Sequence, residues 1–351
     1  MPDFPFDPDP AAAETLPARC YTDPAILAQE RGRIFGRSWQ WVGTLDQLPE
    51  PGSRFAAEVA GEPLIVLRDE GGLRALSAVC RHRAGRVGPA DGGGRALRCA
   101  YHGWTYGLDG ALLGAPEFEG AKGFDRAACR LPTFRAEAWG PWIFVNLDPG
   151  ALSLAATLGE ILPETAAWPL DRLRPIHALD YDLACDWKVY VDNYLEGYHI
   201  PVAHPELFRQ IDYGAYRVET RAWHSRQHAP VKGQGTLYHR DLEAGGTPEA
   251  LYYWVFPNLM VNVYPDHVQL NLILPLGPGR CRTRFLWFAD RELDLAENLA
   301  FSDRVQREDI ALCESVQQGL GSLTYDRGRY SPSRENGVHH FHALWVDAMR
   351  D

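Results

Sequence analysis

The first half of this chain is interpreted from residues 80–102, CRHRAGRVGPADGGGRALRCAYH. They contain Cys-x-His and Cys-x-x-His with sixteen residues between them, so each half offers one thiolate and one imidazole: Cys80, His82, Cys99 and His102. A [2Fe-2S] cluster in which two histidines replace two cysteines on one iron needs this mixed set of four ligands. The motif therefore predicts such a cluster.

The alternative for this motif is a structural zinc site, which can also use two cysteines and two histidines. Zinc sites more often combine Cys-x-x-Cys with a His-x-x-x-His pair, so the Cys-x-His half counts against zinc. Because ligand type and geometry discriminate between metals, the iron-sulfur cluster is the favoured interpretation.

Short strands with frequent turn residues surround the motif, which predicts a small all-β domain over residues 41–147. The run Gly107-Leu108-Asp109-Gly110 contains an Asp-Gly turn signal, so the segments on either side are predicted to form a hairpin. The other predicted strands are 54–59, 64–68, 73–79, 95–100 and 143–147.

A second group of metal-binding residue types occurs in DWKVYVDNYLEGYHIPVAH, which ends at His204. On a helix Glu196 and His199 would share a face, whereas His204 would not. Pro201 is expected to push Ile200 out of helical geometry, and that break would let His204 return to the same side. The segment therefore predicts a second metal site built on two histidines.

Two histidines need one carboxylate to complete the facial triad of non-haem Fe(II) oxygenases, which leaves positions open for O₂ and substrate. Asp309 is the predicted third ligand, because a carboxylate on the apolar face of a helix over residues 302–319 is costly without a cationic partner. That face carries Val305, Leu312 and Val316. The adjacent Glu308 is expected to point elsewhere.

The alternative for the two histidines is a packed or surface pair that binds no metal. Their position downstream of a predicted one-electron carrier favours iron, since a carrier and an O₂-activating iron on one chain make a working redox unit.

Beyond Asp148-Pro149-Gly150 the pattern changes to helices and longer strands, which predicts a catalytic domain over residues 148–351. Residues 1–40, with a short helix over 23–38, are predicted to be a helical segment of that domain. Apolar and polar residues alternate over 267–274 before PLGPGR turns the chain into a second strand, which indicates a curved antiparallel sheet. The predicted fold class is therefore α+β.

Composition and charge exclude several classes of protein. Of the 351 residues, 46% are apolar and 23% charged, as in ordinary globular enzymes, and the net charge of -11 argues against a phosphate-binding surface. No segment approaches the ~18 apolar residues of a membrane span, and the first twenty residues lack the features of a secretory signal. Seven scattered cysteines suit a reducing compartment. We expect a cytoplasmic protein without nucleic-acid or membrane partners.

In combination, these motifs resemble the catalytic α subunit of Rieske non-haem iron oxygenases. The similarity covers nearly the whole chain, from CRHR and CAYHGWTYGLDG through DWKVYVDNYLEGYH to VQREDIALCESVQQGL and HHFH. Within the family it looks most like the choline monooxygenase-like branch, which acts on choline, glycine betaine, carnitine and related quaternary amines. The resemblance implies an N-terminal Rieske domain inserted into a catalytic domain with a helix-grip sheet.

The resemblance also implies how the protein is assembled and supplied with electrons. Family members are usually homotrimers, in which electrons pass from the cluster of one subunit to the iron of its neighbour through a carboxylate between two ligand histidines. Glu196 occupies the matching position, where many ring-dihydroxylating members have Asp, and is the predicted inter-subunit electron bridge. A separate flavin or ferredoxin-type reductase would supply electrons from NAD(P)H, with O₂ as co-substrate.

Three functions follow as candidates: an oxygenase that hydroxylates or N-demethylates a quaternary amine, an aromatic-ring hydroxylating oxygenase, and an electron-carrier or zinc-scaffold protein. An electron-carrier or zinc-scaffold protein would not explain the second predicted metal site. A quaternary ammonium is held by aromatic faces, often with a nearby acid. Aromatic residues at strand spacing more often belong to a core than to such a cage. The candidate cage residues are Tyr252, Tyr253, Trp254, Phe256, Tyr264, Trp223 and Trp287.

Overall fold

The computed structural model describes residues 6–88, 93–230 and 251–350. The chain divides into two compact units, one over Phe35–Ala156 and one that combines Met1–Ile34 with Thr157–Asp351. Helices and antiparallel sheets are both present, so the predicted α+β class is confirmed. The predicted limits of residues 41–147 for the first domain stay a prediction.

The unit Phe35–Ala156 is built almost entirely from strands. One antiparallel sheet has the order β1-β9-β8-β4-β3-β2, and a smaller sheet has the order β5-β6-β7. The predicted strands and the predicted hairpin at the Asp-Gly turn are confirmed. The strands are β1 Gln40–Thr44, β2 Arg54–Val59, β3 Glu62–Asp69, β4 Gly72–Ser77, β5 Ala96–Arg98, β6 Thr105–Gly107, β7 Leu112–Gly114, β8 Thr133–Trp139 and β9 Trp142–Asn146.

The other unit contains a seven-stranded antiparallel sheet with the order β10-β16-β15-β14-β13-β12-β11. The predicted strand pair on either side of PLGPGR is its longest hairpin, and Gly279 supplies the positive φ of 62° that the turn needs. The strands are β10 Arg174–Leu183, β11 Arg217–Thr220, β12 His224–His228, β13 Leu251–Val255, β14 Leu259–Val263, β15 Val268–Gly277 and β16 Arg280–Ala289.

Along the chain, helices come before, between and after the strands of this sheet, and the last two helices are long. They are α1 Arg19–Thr22, α2 Pro24–Glu30, α3 Leu154–Leu158, α4 Ile161–Glu164, α5 Trp187–Tyr194, α6 Ile200–Ala203, α7 Pro205–Gln210, α8 Ala296–Leu320 and α9 Asn336–Arg350. No helix in the described part of the chain is both long and apolar enough to cross a membrane.

Helix α8 contains the predicted helix over 302–319, but the predicted buried apolar stripe is wrong at its far end. Val316 is 52% exposed, and the buried positions of the helix are instead Phe301, Gln306, Cys313 and Leu320. Polar and small side chains therefore form much of the inward face of α8, and apolar periodicity alone could not identify that face.

A buried ion cluster fixes helix α5, which leads into the second metal site. Lys188 on α5 is fully buried and its Nζ lies 2.7 Å from carboxylate oxygens of both Glu30 on α2 and Asp186. The indole groups of Trp187 and Trp345 donate to the same Glu30 carboxylate, so α2, α5 and α9 meet at one acid. Buried charges cost several kcal/mol each unless they are paired in this way, which makes the position of α5 specific.

Candidate metal centres and active-site cavity

The two halves of the predicted cluster motif form loops of the same construction. Cys80 N–H donates to the carbonyl of Gly85, and Cys99 N–H donates to the carbonyl of Trp104, five residues on in both loops. The carbonyl of each cysteine also accepts the N–H four residues on. Those donors, Ala84 and Gly103, both have positive φ, of 56° and 74°. The sequence thus builds one ligand-presenting turn twice.

Burial separates the two kinds of ligand. Cys80 and Cys99 are 3% and 2% exposed within an apolar cluster, whereas His102 is exposed and His82 is half-buried. The His82 ring stacks on Trp104, with ring centroids 5.0 Å apart, and lies edge-on to His102 at 4.7 Å. Burial and the neighbouring charges of His102 and Arg83 lower the pKa of His82, which favours the neutral imidazole that binds metal.

The phenol of Tyr106 contacts the cysteine side of this site. Its oxygen lies 3.2 Å from Cys80 Sγ and accepts the Arg81 N–H at 3.0 Å, so its own proton can be donated to the sulfur. Hydrogen bonds to cluster sulfurs are one of the ways in which a protein sets the reduction potential. Gly85 leaves space beside the other cysteine, because a Cβ atom at this position would lie only 3.1 Å from Cys99 Sγ.

The donor set fits a two-iron cluster, because two thiolates and two imidazoles are the ligands that a [2Fe-2S] cluster with one histidine-bound iron needs. A separate compact group of metal-binding side chains lies elsewhere in the described residues, with its ligand atoms all within 4.8 Å of one another.

That compact group consists of His199, His204 and Asp309, the three predicted ligands of the second site. Asp309 Oδ1 lies 3.0 Å from His204 Nε2 and 3.7 Å from His199 Nε2. His204 is 2% exposed, and the side chains of His199 and Asp309 are 20% and 13% exposed. Two imidazoles and one carboxylate converge here, with the composition of a facial triad.

The local chain geometry differs from the predicted break at Pro201. Pro201 lies in the first turn of α6, where a missing N–H costs nothing, and Ile200 is helical. The break falls instead at His204, which precedes Pro205 and has φ -122° and ψ 71°. A residue before proline is driven out of helical geometry, so Pro205 directs the His204 side chain toward Asp309.

Glu196 orients the first histidine. One of its carboxylate oxygens contacts His199 Nδ1, and the other accepts the backbone N–H groups of Tyr198 and His199. The carboxylate therefore fixes both the backbone turn before α6 and the ring orientation that leaves His199 Nε2 facing Asp309. Carboxylates that hold the second nitrogen of a ligand histidine in this way are a regular feature of metal sites.

The expectation that Glu308 points elsewhere is wrong. Its Oε2 lies 2.6 Å from His204 Nδ1, so each histidine has one carboxylate on Nδ1 and Asp309 near Nε2. Burial disfavours a charged His204, but the hydrogen bonds and charges of Asp309 and Glu308 outweigh it and raise the pKa. Adjacent residues on a helix can both reach His204 because its ring lies between their side chains.

A cavity of about 180 Å³ opens onto His199, His204 and Asp309. It is smaller than the roughly 300–1,000 Å³ of sites for drug-sized ligands, and so suits a small substrate. Its aromatic lining residues are Tyr190, Tyr194, Tyr216, Tyr252, Tyr264, Phe285 and Phe301. Burial, followed by the charge of Asp309, raises the pKa of Tyr190, which stays a neutral phenol.

Of the seven aromatic residues predicted as a possible cage, Tyr252 and Tyr264 line this cavity. Tyr253, Trp254 and Trp287 are instead buried in the core. The lining residues that the prediction missed include Tyr190 and Tyr194, which lie within the second metal-binding segment itself. Their i, i+4 spacing on α5, six and two residues before Glu196, was the available signal.

Similarity to known proteins agrees with both sites. Residues 38–134 match the Rieske [2Fe-2S] domain, and residues 170–351 match the ring hydroxylating alpha subunit (catalytic domain). The chain therefore belongs to the Rieske non-haem iron oxygenases and is an oxidoreductase, and the predicted resemblance is confirmed.

Individual relatives are similar over most of their length. The chain is 36% identical to the chloroplastic choline monooxygenase of Arabidopsis thaliana, over 95% of this chain and 82% of that one. It is 30% identical to the carnitine monooxygenase oxygenase subunit of Escherichia coli strain K12, over 99% and 96%. A solved structure of a quaternary ammonium Rieske monooxygenase, described as giving insights into carnitine oxidation by gut microbiota and inter-subunit electron transfer, aligns with TM-score 0.83 and 25% identity over 99% of both chains.

Proposed function

We propose that this protein hydroxylates a carbon atom of a small quaternary amine, using O₂ and electrons from a separate NAD(P)H-dependent reductase of the flavin or ferredoxin type. The observation that carries the proposal is a cavity that combines three converging side chains of metal-binding types with seven tyrosine and phenylalanine rings in its lining. Aromatic faces and nearby acids attract a quaternary ammonium, which has no hydrogen-bond donor to offer.

The proposed ligands of the cluster are Cys80, His82, Cys99 and His102, and those of the mononuclear iron are His199, His204 and Asp309. When bound, the cluster supplies single electrons and the mononuclear iron supplies O₂ activation. The protein side chains contribute binding and orientation. Tyr252 and Tyr264 would contact the cationic head, while Glu196 and Glu308 keep the two imidazoles turned toward Asp309.

Glu196 is proposed as the inter-subunit electron bridge, and the protein as a homotrimer. Its carboxylate already contacts one ligand histidine, and the aligned quaternary ammonium monooxygenase is described as a case of inter-subunit electron transfer. A cytoplasmic location stays part of the proposal; its support is that all seven cysteines are free, which suits a reducing compartment.

The product depends on which carbon is hydroxylated. A hydroxyl group on an N-methyl carbon gives a cationic carbinolamine, which loses formaldehyde and a proton and leaves the demethylated tertiary amine. A second hydroxyl group on the alcohol carbon of choline gives a geminal diol, which loses water to form an aldehyde. Formaldehyde and betaine aldehyde are therefore the products to assay.

The test is a substrate screen with purified, iron-loaded protein, a Rieske-oxygenase reductase and NADH. Choline, glycine betaine and carnitine are compared with naphthalene and benzoate, and O₂ uptake is measured together with product formation. We expect coupled O₂ uptake and product only with the amines. Turnover of the aromatics alone would establish ring hydroxylation instead, and a colourless protein that binds zinc would reject both oxygenase functions.

A further inference from the structure

Among the described residues that line the active-site cavity, the side chain of Asn271 has a buried polar atom without a hydrogen-bond partner. Asn271 lines the cavity, is only 4% exposed, and its Oδ1 has no hydrogen-bond partner among the described residues. It lies on β15 directly opposite Phe285 of β16, another lining residue, so both side chains occupy the face of the sheet that forms the cavity wall.

Two other amides that line the cavity, on α8 and on β14, are paired within the protein. Gln306 accepts from Tyr190 at 2.5 Å and donates to Thr283 Oγ1 at 3.2 Å, and Asn262 accepts from Tyr194 at 2.7 Å. Buried polar groups in native proteins nearly always have a partner, and an exception calls for a specific explanation. A partner brought by the substrate would explain Asn271.

The charges of the cavity restrict what that partner can be. Glu196 and Asp309 line it, whereas no lysine or arginine is present among its described lining residues. A substrate carboxylate would therefore meet acids without a cationic partner, and burial of an unpaired charge is strongly unfavourable. A carboxylate also lacks a proton to donate to the amide oxygen of Asn271.

We propose that Asn271 is a specificity-determining residue that binds the hydroxyl group of a cationic amino alcohol. This inference rests on the proposed function and deepens it, because it selects among quaternary amines. A hydroxyl group both donates and accepts, so it can meet either end of the amide. Amines with the same cationic head that lack the hydroxyl, or carry a carboxylate in its place, bind less tightly.

The experiment compares three probes of similar size by calorimetric titration of the iron-loaded protein in the absence of O₂, so that no turnover is needed. The probes are choline, ethyltrimethylammonium, which lacks only the hydroxyl, and glycine betaine, which carries a carboxylate. For the wild-type protein we expect choline to bind about 10- to 100-fold more tightly than either of the others, the effect of one buried hydrogen bond.

The variant Asn271→Leu should remove the difference between choline and ethyltrimethylammonium while ethyltrimethylammonium still binds as in the wild type. The control is Gln318→Leu, which removes an exposed amide on α8 that does not line the cavity and should leave the ratio between the two ligands unchanged. The visible spectrum of the cluster and the melting temperature report whether each variant is folded.

Equal binding of choline and ethyltrimethylammonium by the wild-type protein would overturn the inference without any variant, and a preference that persists in Asn271→Leu would overturn it as well. Either result leaves the proposed function intact, because a quaternary amine still binds. Binding of none of the three cations, together with binding of aromatic compounds, would instead reject the proposed function.

Discussion

The two candidate metal sites are built in opposite ways along the chain. The four residues of the cluster motif come from two neighbouring loops with the same backbone hydrogen bonds, all within residues 80–102. The second site joins His204 at the break between α6 and α7 to Asp309 on α8, 105 positions later. The first site consists of two copies of one local structure, whereas the second depends on the packing of elements that are far apart in the chain. The following variants test that difference.

The largest expected effect is the loss of one iron centre without the other. Asp309→Ala removes a ligand of the second site alone, so iron content should fall by about a third, turnover should stop, and the visible absorption of the cluster should remain. The reciprocal variant His102→Ala should lose the cluster absorption but keep mononuclear iron. Metal analysis and EPR of the reduced protein measure both, and unchanged iron in Asp309→Ala would contradict the assignment.

Glu196→Gln is expected to separate metal binding from electron delivery. Both metals should remain, since Gln still reaches His199, while reductase-driven turnover should fall about 100-fold, the upper range for partners of ligand histidines. The matched control is Glu219→Gln on β11, whose carboxylate pairs with Arg217 and Arg221 and should not affect turnover. Full activity of Glu196→Gln would reject the electron-bridge role.

Glu308→Gln should weaken the second site by a smaller amount. The side chain of Glu308 is 39% exposed, so water already screens its charge, and we expect iron affinity to fall about tenfold. Competition with a chelator of known affinity measures the change. If the affinity is unaltered, the contact between Glu308 and His204 makes no contribution to iron binding.

The smallest effect is expected from Tyr106→Phe in the cluster domain, which deletes one hydroxyl group near Cys80 Sγ. Loss of a hydrogen bond to the sulfur should lower the reduction potential by roughly 60 mV, which corresponds to about 1.4 kcal/mol for one electron. Protein-film voltammetry measures the potential. Tyr101→Phe is the control, because Tyr101 is 59% exposed and its hydroxyl group does not hydrogen-bond to Cys80 or Cys99. An equal shift in both variants would contradict the role of Tyr106.

The sequence was most informative where candidate ligands and the backbone turn that carries them are close together in the chain. Cys-x-His and Cys-x-x-His define both the ligand types and the loops, and the Asp-Gly signal correctly predicted the β6-β7 hairpin. The choice of Asp309 over Glu308 relied on an apolar stripe, and the structure shows why that reasoning was incomplete. The stripe is exposed at Val316, and Glu308 contacts His204 on the opposite ring nitrogen.

The α+β class and the family could be predicted from the sequence alone, and so could the candidate ligands of both metal sites, because each depends on short-range spacing or on residue identity. Only the tertiary structure decided that Pro205, not Pro201, directs His204, that Glu308 supports it, and which aromatic rings face the cavity. The physical reason is that a helix or strand pattern predicts which side of an element is apolar. It does not predict which other element packs against that side. The polar side of β15, with Gln269 and Asn271, is buried because it forms the cavity wall, and only packing against α5 and the neighbouring strands reveals this.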